Sequence, residues 1–201
     1  MRRTAITSIL AVVAFTSIFG LAYPLAMTGI SQVAFPGKAG GSKLTVNGKL
    51  VGSSLIGQEF KGRGYFHPRP SQTGYSANVT YFSNSGPNSV EEREAVRENL
   101  AAYVVLNKPY DKSLTKADVP VDAITMSGSG VDPEISEANA KIQAHRIAAV
   151  RHLSLSKVED LIAAHTDGRF LGVFGEPGVN ILQLNLALDE EAPLSANRGF
   201  K

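Results

Sequence analysis

The sequence contains no cysteine in its 201 residues. This absence excludes a disulfide framework, thiolate zinc sites, a cysteine nucleophile and a lipid anchor attached to cysteine. Net charge is almost absent as well, because 20 basic residues face 18 acidic ones, and Arg2 and Arg3 account for the difference. A chain without a basic excess has no electrostatic signature of nucleic acid binding. The fold must therefore be stabilised by packing, and nucleic acid is not a predicted ligand.

Length and composition allow one domain, or one domain with an additional segment. Hydrophobic residues make up 43% of the chain and charged residues 19%, which lies between a soluble globular protein and a membrane protein. These values exclude disorder of the whole chain and a collagen-like or coiled-coil composition. A sizeable hydrophobic core can therefore form.

The N-terminal part of the chain is uncharged over a long stretch. No Lys, Arg, Asp or Glu occurs between Arg3 and Lys38. Within this stretch, residues 6–25 are mostly apolar and would form a helix about 30 Å long, which matches the hydrocarbon core of a bilayer. The alternative is a cleaved signal peptide, since the chain starts with two arginines and residues 20–22 fit a cleavage site. Composition favours a transmembrane helix over residues 6–27.

Four small residues recur at helical spacing in this stretch, namely Thr7, Ala11, Ala14 and Ser17. Small side chains let a second transmembrane helix approach closely, so these residues are candidate contacts with a partner helix. Small residues are also common in membrane helices without such a partner, which is the alternative interpretation.

The rest of the chain is expected on one side of the membrane, because no later stretch reaches eighteen apolar residues. The two arginines in residues 1–5 favour a cytoplasmic position for this segment, although Lys38 and Lys43 flank the other end of the span. Large domains can also cross regardless of charge. The charge pattern therefore leans toward an extracytoplasmic position for the domain that follows, residues 28–189.

The remaining sequence predicts an α+β domain with strands at both ends and helices between them. In chain order, the patterns predict a hairpin over 43–51, a helix over 89–107, a strand over 119–126, a helix over 136–153, a short helix from a capping box at Ser156 and Glu159 to about 168, strands over 170–174 and 179–188, and a flexible tail over 190–201. The predicted architecture is a single N-terminal transmembrane helix followed by one extracytoplasmic mixed α/β domain.

Apolar spacing predicts which faces of these elements are buried. The helix over 89–107 would bury Val96, Leu100 and Val104, and the helix over 136–153 would bury Ala138, Ile142, Ala149 and Leu153. In the last strand, one buried face would carry the alternating Leu182, Leu184, Leu186 and Leu188. By contrast, residues 52–88 show no periodicity, and a loop of this length is usually functional or packed on a partner.

One glycine-rich segment, Ser127-Gly-Ser-Gly130, could hold a phosphate with its backbone N–H groups. It lacks the third glycine of a dinucleotide loop and the Lys-Ser/Thr pair of a P-loop, so a structural turn is favoured. The serines of the chain also lack a G-x-S-x-G or S-x-x-K context, which argues against hydrolase chemistry.

The four histidines are His67, His145, His152 and His165. Two of them, His145 and His152, lie about 10.5 Å apart along one predicted helix, which is too far for one zinc ion. All four are interpreted as surface or packed residues. The separated carboxylates of Glu59, Asp132 and Glu176 fit solvated turns as well as acid–base pairs. No catalytic residue and no metal ligand is predicted.

Several segments occur in the order seen in one family. They are YPL at 23–25, TGISQ at 28–32, VGSSLIGQ at 51–58, YFHPRPS at 65–71, VPVD at 119–122, SGSGVDP at 127–133, GEP at 175–177 and NILQLNLALD at 180–189. On these segments the chain resembles, over about residues 4–189, the KdpC family, the C subunits of bacterial potassium-transporting P-type ATPases. It departs from the family at Gly178, where Arg is usual, and at Gln183, where Glu is common.

The resemblance implies a single-pass subunit of the bacterial inner membrane, with a periplasmic or extracellular domain and no chemistry of its own. Its uncleaved helix would pack on the channel-like potassium-binding subunit, KdpA. The family is described as a catalytic chaperone that raises the ATP affinity of the ATP-hydrolysing subunit, KdpB, in a transient complex that includes the nucleotide. No intrinsic cofactor is implied. The alternative is an anchored or secreted periplasmic enzyme or binding module.

The resemblance also makes Ser54 and Gln58 candidate contacts, because residues 54–58 look like a degenerate ABC-transporter signature. These two residues would meet either the nucleotide or a partner subunit. With the N-terminus inside and no second span, Gln58 lies outside and has no access to cytoplasmic ATP. A contact with the extracellular face of the channel-like subunit is therefore favoured.

Overall fold

The computed structural model describes residues 2–76, 78, 84–86 and 88–194. The chain divides into two compact units, and the division falls between Lys43 and Leu44.

The first unit is a long apolar helix followed by a short one. Its parts are α1 (Arg2–Phe15), a π-helical segment (Thr16–Ala22), α2 (Tyr23–Ala34) and α3 (Pro36–Ala39). The first three parts form one continuous helix of 33 residues, whose most apolar window has a mean hydropathy of 2.2. Within the described residues, this is the one helix that is long and apolar enough to span a membrane. It continues seven residues beyond the predicted limit at residue 27.

The second unit begins with the predicted hairpin. Strands β1 (Lys43–Val46) and β2 (Lys49–Ser53) form a two-stranded sheet. Between them, Asn47 and Gly48 have φ values of 51° and 75°. Both central residues of a type I′ turn need positive φ, so this prediction is confirmed.

The rest of this unit, in its described residues, combines four α-helices and two short 3-10 helices, Lys116–Asp118 and Val121–Ala123, with a small antiparallel sheet. The α-helices are α4 (Val90–Asn107), α5 (Glu137–Arg151), α6 (Leu155–Ala164) and α7 (Ile181–Glu191). The strands are β3 (Glu134–Ile135), β4 (Thr166–Asp167) and β5 (Gly178–Asn180), in the order β3-β5-β4. An apolar helix followed by a mixed α/β domain is the fold class that the sequence predicts. Helix α7 extends two residues into the segment predicted as a tail, and residues 195–201 of that tail lie outside the described residues.

Serine caps fix the starts of three helices. The Ser89, Ser136 and Ser154 hydroxyls accept hydrogen bonds from the N–H groups of Glu92, Asn139 and Lys157 at 3.1 to 3.2 Å. The starts predicted at Ser89 and Ser136 are confirmed, and the start predicted at Ser156 is wrong by two residues. The reason is that α5 closes with His152 at φ 57°, and Leu153 then donates to the Ala148 carbonyl. This C-cap reverses the chain early, so α6 can begin at Leu155.

The strand predicted over 119–126 is wrong, because this part of the chain contains a short 3-10 helix, Val121–Ala123. Local hydrogen bonds replace a ladder, since the Ala123 N–H donates to the Pro120 carbonyl at 3.1 Å. The Asp122 carboxylate also accepts from the Ser136 N–H at 2.9 Å. Side-chain hydrogen bonds to the start of α5 therefore outweigh the β propensity of residues 119–126 and determine their conformation.

The strand predicted over 179–188 is also wrong beyond Asn180, where α7 begins. The Asn180 side chain accepts from the Gln183 N–H at 3.1 Å and caps the helix. The residues of α7 that are buried are Ile181, Leu182, Leu184, Asn185 and Leu188, which is a helical spacing. The spacing of the leucines is compatible with the period of a β-strand and with that of an α-helix. The Asn180 cap favours the helix.

The strand predicted over 170–174 is a turn closed by a single bridge between Phe170 and Phe174. Leu171 and Gly172 both have positive φ values, so the chain reverses between the two phenylalanines. The segment therefore cannot extend as a strand. Its large side chains stay exposed.

The buried face of α5 differs from the prediction, because Ala138 and Ala149 are exposed. The buried residues are Asn139, Ala140, Gln143, Ala144, Arg146, Ile147, Ala148 and Arg151. Apolar spacing misses this face since half of its members are polar. The face predicted for α4 is correct for Leu100 and Val104, which pack on a small cluster of Leu114, Val119 and Ala123.

The polar face of α5 packs on a segment that belongs to no helix or strand, here called the central segment, residues 62–67, of which residues 64–66 are buried. Phe66 and Tyr65 within it are 0% and 2% exposed. The Phe66 N–H donates to Asn185 Oδ1 at 2.8 Å, and the Phe66 carbonyl accepts from Asn185 Nδ2 at 3.0 Å. Gln143 binds both backbone groups of His67 in the same way, at 2.8 and 3.0 Å. Side chains thus provide the hydrogen bonds that a sheet would otherwise supply.

Two buried arginines bind the carbonyls of the central segment. Arg146 donates to the carbonyls of Arg63 and Tyr65, the latter at 2.9 Å. Arg151 donates to the Gly64 carbonyl at 2.6 Å, pairs with Asp189 at 2.9 Å and lies 4.7 Å from the Tyr65 ring centroid. The segment is therefore held along its whole length by α5 and α7.

We expect Asn185→Leu to lower the free energy of unfolding of the second unit by about 2 to 6 kcal/mol. Leucine has a similar volume but leaves the Phe66 N–H and carbonyl buried without partners, at about 1 to 3 kcal/mol each. Urea unfolding of the full chain in detergent, followed by circular dichroism, measures the loss.

The control is Gln183→Leu on the same helix, whose half-buried side chain has no described hydrogen bond. We expect a change below about 0.5 kcal/mol there. Equal effects of the two substitutions would contradict the role given to Asn185.

Candidate functional site

The turn that contains the predicted contact residues, residues 54–58, follows β2 and is fixed at both ends. The Gly57 N–H donates to the Val131 carbonyl at 2.7 Å. A Cβ atom at Gly57 would collide with the backbone of Asp132, so this close approach requires glycine. Between these anchors, Leu55 and Ile56 point outward and are 61% and 38% exposed.

Ser54 and Gln58 themselves serve the shape of this turn. The Ser54 carbonyl accepts from Asn180 Nδ2 at 2.8 Å. Gln58 Nε2 donates to the Val51 carbonyl at 2.8 Å, and its side chain covers Gly52. Both residues are half-buried, and their described polar contacts lie within their own chain. A role in binding nucleotide or a partner stays a prediction for both.

The exposed side chains of this turn are Leu55 and Ile56, which the sequence reasoning did not single out. The available signal was a pair of apolar residues inside an otherwise polar loop. Because Asn180 also caps α7, one side chain couples this turn to the start of that helix.

The glycine-rich segment, residues 127–130, forms a structural turn, as the sequence favours. Its own serine hydroxyls take the backbone donors that a phosphate would need, since Gly130 N–H binds Ser127 Oγ at 3.0 Å and Val131 N–H binds Ser129 Oγ at 3.1 Å. Helix α5 begins only at Glu137, after β3. The geometry of a strand, phosphate loop and helix is therefore not formed here.

Three of the histidines have structural positions in or near helices. His145 lies on α5 at 4.0 Å from Asp111, His152 ends α5, and His165 Nδ1 lies 2.8 Å from the Leu161 carbonyl at the end of α6. No group of three His, Asp or Glu side chains that could hold a metal ion occurs in the described part of the chain.

The separated carboxylates each lie beside a basic side chain. Glu59 pairs with Lys61 at 3.0 Å, Asp132 with Arg69 at 2.9 Å, and Glu176 with Arg169 at 2.8 Å. The structure thus gives these carboxylates ion-pair partners within their own chain and does not bring the three together as an acid–base site.

The small residues of the first unit lie on an exposed helix. Thr7, Ala11 and Ala14 belong to α1, where their spacing places them on one face, whereas Ser17 lies in the π-helical segment. The Thr7 hydroxyl donates to the Arg3 carbonyl at 3.0 Å, which satisfies it inside the helix. Their contact with a partner helix stays a prediction.

Comparison with known proteins identifies the family. The sequence matches the family described as "KdpC: K+-transporting ATPase, c chain" over residues 5–190. The chain belongs to the KdpC family. The resemblance seen in the sequence motifs is therefore confirmed, and the match extends from the membrane helix to the end of α7.

Similar proteins named "Potassium-transporting ATPase KdpC subunit" occur in several bacteria. The one from Mycobacterium tuberculosis (strain H37Rv) is 47% identical over 191 residues, covering 94% of this chain and 99% of the relative. The one from Cereibacter sphaeroides (strain KD131) is 48% identical over 187 residues, covering 93% and 95%. The one from Rhodospirillum rubrum is 44% identical over 197 residues, covering 97% and 100%. This chain is accordingly a membrane-associated KdpC subunit of a potassium-transporting ATPase, with one candidate transmembrane helix.

The departure from the KdpC pattern at Gly178 has a local consequence. Gly178 pairs with Asp167 in the sheet, and a Cβ atom there would contact the Glu134 carboxylate. Partial burial raises the pKa of Glu134, and the negative charges of Asp167 and Asp132 raise it further. Glycine at 178 thus leaves room for the Glu134 carboxylate, which lies among acidic neighbours.

We expect the stability of the second unit to fall as the pH is lowered from about 6.5 to about 4. Burial, and next the charge of Arg146, lower the pKa of His67 from 6.5 to about 4. The unfolded chain therefore takes up a proton that the folded chain does not bind in this window, which favours unfolding by up to about 3 kcal/mol. Urea midpoints of the full chain in detergent at a series of pH values measure this loss.

In His67→Gln the loss between these pH values should be much smaller, since the titrating group is gone. His152→Asn is the matched control, because His152 is exposed and asparagine tolerates its left-handed backbone. A His67→Gln profile as steep as that of the control would contradict the assignment.

Proposed function

We propose that this chain is the non-catalytic assembly and regulatory subunit of an ATP-driven, high-affinity potassium uptake pump. The observation that carries the proposal is the family match over residues 5–190, which includes both the apolar helix and the second unit. We call the second unit the outer domain, after the position proposed for it here. In this proposal the N-terminus is cytoplasmic, the helix anchors the subunit in the cell membrane, and the domain stands on the periplasmic or extracellular side. Arg2 and Arg3 before the span support this orientation.

The proposed partners are the channel-like potassium-binding subunit, KdpA, and the ATP-hydrolysing subunit, KdpB. The helix would pack on KdpA through Thr7, Ala11, Ala14 and Ser17, and the turn at residues 54–58 would face the same subunit outside the membrane. An exposed apolar pair, Leu55 and Ile56, supports a contact role for this turn.

We propose that any effect on ATP affinity is exerted through the assembled complex rather than by a nucleotide contact of Gln58. In the proposed orientation the membrane separates the domain from cytoplasmic ATP. Stabilising one conformation of the pump would raise ATP affinity by conformational coupling, for which about 1 to 3 kcal/mol, or roughly 5- to 150-fold, is typical. The chain itself would then need no intrinsic cofactor.

The experiment that tests the whole proposal is purification in mild detergent through a tag on this chain. Two larger membrane proteins should be recovered with it, and the product should show ATPase activity stimulated by potassium. Removal of this chain should lower that activity or its apparent ATP affinity. An anchored enzyme or a free binding module would instead be recovered alone.

We expect a cysteine at position 55 to react with a membrane-impermeant thiol reagent in intact cells that express this chain without the other pump subunits, or in spheroplasts of such cells if an outer membrane is present. The chain has no other cysteine, and Leu55 is 61% exposed, so Leu55→Cys reports the side on which the turn lies. Mass spectrometry of the labelled chain measures the reaction.

Thr4→Cys provides the opposite control, because it should react only after the cells are broken open. Recovery of a mature chain that lacks residue 4 would indicate cleavage of the segment. Reaction of Leu55→Cys only in broken cells would reverse the proposed orientation and restore a direct nucleotide contact.

We expect Ala14→Phe to reduce recovery of the pump complex about five- to tenfold while the outer domain stays folded. The larger side chain would hold the helices apart, and overpacking typically costs about 1 to 3 kcal/mol. The matched control is Ile9→Phe, which lies on the opposite face of α1 and should change recovery less than twofold. Equal recovery of the complex with both variants would contradict an interface on the face of small residues.

A further inference from the structure

A second exposed apolar surface lies at the connection between β4 and β5. We call residues 169–176 the apolar tip. Phe170, Leu171, Val173 and Phe174 are 71%, 76%, 71% and 63% exposed. Single exposed apolar side chains are ordinary, but four large ones within five residues form a contiguous patch of the kind that marks an interaction site.

The apolar tip has a defined shape that its own backbone maintains. Phe170 and Phe174 exchange two backbone hydrogen bonds, at 2.8 and 3.0 Å. The N–H groups of Gly172 and Val173 donate to carbonyls within the tip at 3.0 and 3.2 Å. Leu171 is held at φ 53°, which is unfavourable for a branched side chain and persists only where the surroundings enforce it. Four apolar side chains are thus presented in one fixed arrangement.

An ion pair closes the base of the tip. Arg169 Nη2 donates to both carboxylate oxygens of Glu176, at 2.9 and 2.8 Å. Below this pair, Asp167 is paired with Gly178 in the β4-β5 ladder, and β5 is fully buried. The tip is therefore a preorganised projection with polar residues around an apolar centre, and preorganisation lowers the entropy lost on binding.

The charges around the tip distinguish a protein partner from a lipid surface. Residues 166–178 contain two acidic residues, Asp167 and Glu176, and one basic residue, Arg169. Glu134 adds another acidic group on the neighbouring strand. Segments that lie in a membrane interface usually carry Lys and Arg on the polar side, and this segment has the opposite sign. An aromatic centre with a charged rim is instead the arrangement of a protein interface.

We infer that the apolar tip anchors the outer domain in an apolar recess, bordered by basic side chains, on another subunit of the same pump. This inference rests on the proposed function, because the partner is a pump subunit exposed on the same side of the membrane as the domain. The tip adds a contact outside the membrane to the contact made by the transmembrane helix. Because one chain carries both contacts, the first one formed raises the effective concentration for the second.

The first experiment uses Val173→Asp in the full chain, expressed with the other pump subunits and recovered in detergent through a tag on one of them. A charge placed in the recess should lower the amount of this chain retained about tenfold or more, as for other central interface residues. Val105→Asp is the matched control, since Val105 is also a valine, lies on α4 and is 76% exposed. Circular dichroism melting of each variant establishes that the domain is still folded.

The second experiment separates a protein recess from a bilayer. Full-length Val173→Cys and Val105→Cys chains carry an environment-sensitive fluorophore on their single thiol. Each is mixed with detergent-solubilised pump that lacks this subunit, and separately reconstituted into vesicles of phosphatidylcholine alone. We expect a shift to shorter emission wavelength for position 173 with the pump subunits, and no difference between positions 173 and 105 in the vesicles.

Each outcome decides the inference. Retention of Val173→Asp equal to that of Val105→Asp, with wild-type retention intact, overturns the tip contact and leaves the proposed function standing. A shift at position 173 in vesicles without a shift on the pump subunits overturns it in favour of lipid. Failure of the wild-type chain to be retained at all overturns the proposed function, and the tip inference falls with it.

Discussion

The mixed α/β domain depends on hydrogen bonds from buried side chains to the backbone of the central segment, residues 62–67. This segment has no neighbouring strand, so its buried backbone groups need other partners. The Tyr65 N–H donates to the Gly62 carbonyl at 3.0 Å, and side chains bind most of the others. Asn185 and Gln143 supply paired amide contacts, and Arg146 and Arg151 bind the carbonyls between them. Loss of one such side chain leaves a buried backbone group unpaired, which costs more than the bond itself contributes.

Arg146 is the most constrained of these side chains. It is fully buried, and its described hydrogen bonds go to carbonyl and amide oxygens, including Asn107 Oδ1 at 3.0 Å and Gln143 Oε1 at 2.8 Å. Burial lowers its pKa to about 10, so the guanidinium is still charged at neutral pH. Oriented carbonyl dipoles therefore stabilise the charge where no carboxylate does. Through Asn107, the same side chain joins α4 to the central segment.

Several polar groups that the sequence offers as candidate sites have partners within the chain, whereas some large apolar groups stay exposed. The serines of the glycine-rich turn bind their own backbone, and Glu59, Asp132 and Glu176 have ion-pair partners. Large hydrophobic side chains are exposed at the turn of residues 54–58 and at the apolar tip. Exposed apolar side chains of this kind are available for association with other proteins, which agrees with the function proposed above.

The sequence by itself determined the features that depend on local physics. The uncharged stretch indicates the membrane helix, Asn47 and Gly48 indicate the hairpin, Ser89 and Ser136 indicate two helix starts, and the order of motifs indicates the family. These features need only bilayer thickness, turn geometry or a nearby cap, all of which short stretches of sequence encode.

Only the tertiary structure decided the elements that distant residues control. Residues 119–126 have β propensity, yet Asp122 binds the start of α5, and residues 181–188 alternate like a strand, yet Asn180 caps a helix. The buried face of α5 is polar because the central segment lies against it. The sequence pattern of α5 alone does not reveal that this segment packs there. The same reason explains the contact surfaces, since the exposure of Leu55 and of the apolar tip depends on which apolar groups the core leaves uncovered. The stabilisation that a hydrogen bond or a buried surface provides depends on its partner, and here the partner lies far away in the chain. Long-range packing therefore decides these elements.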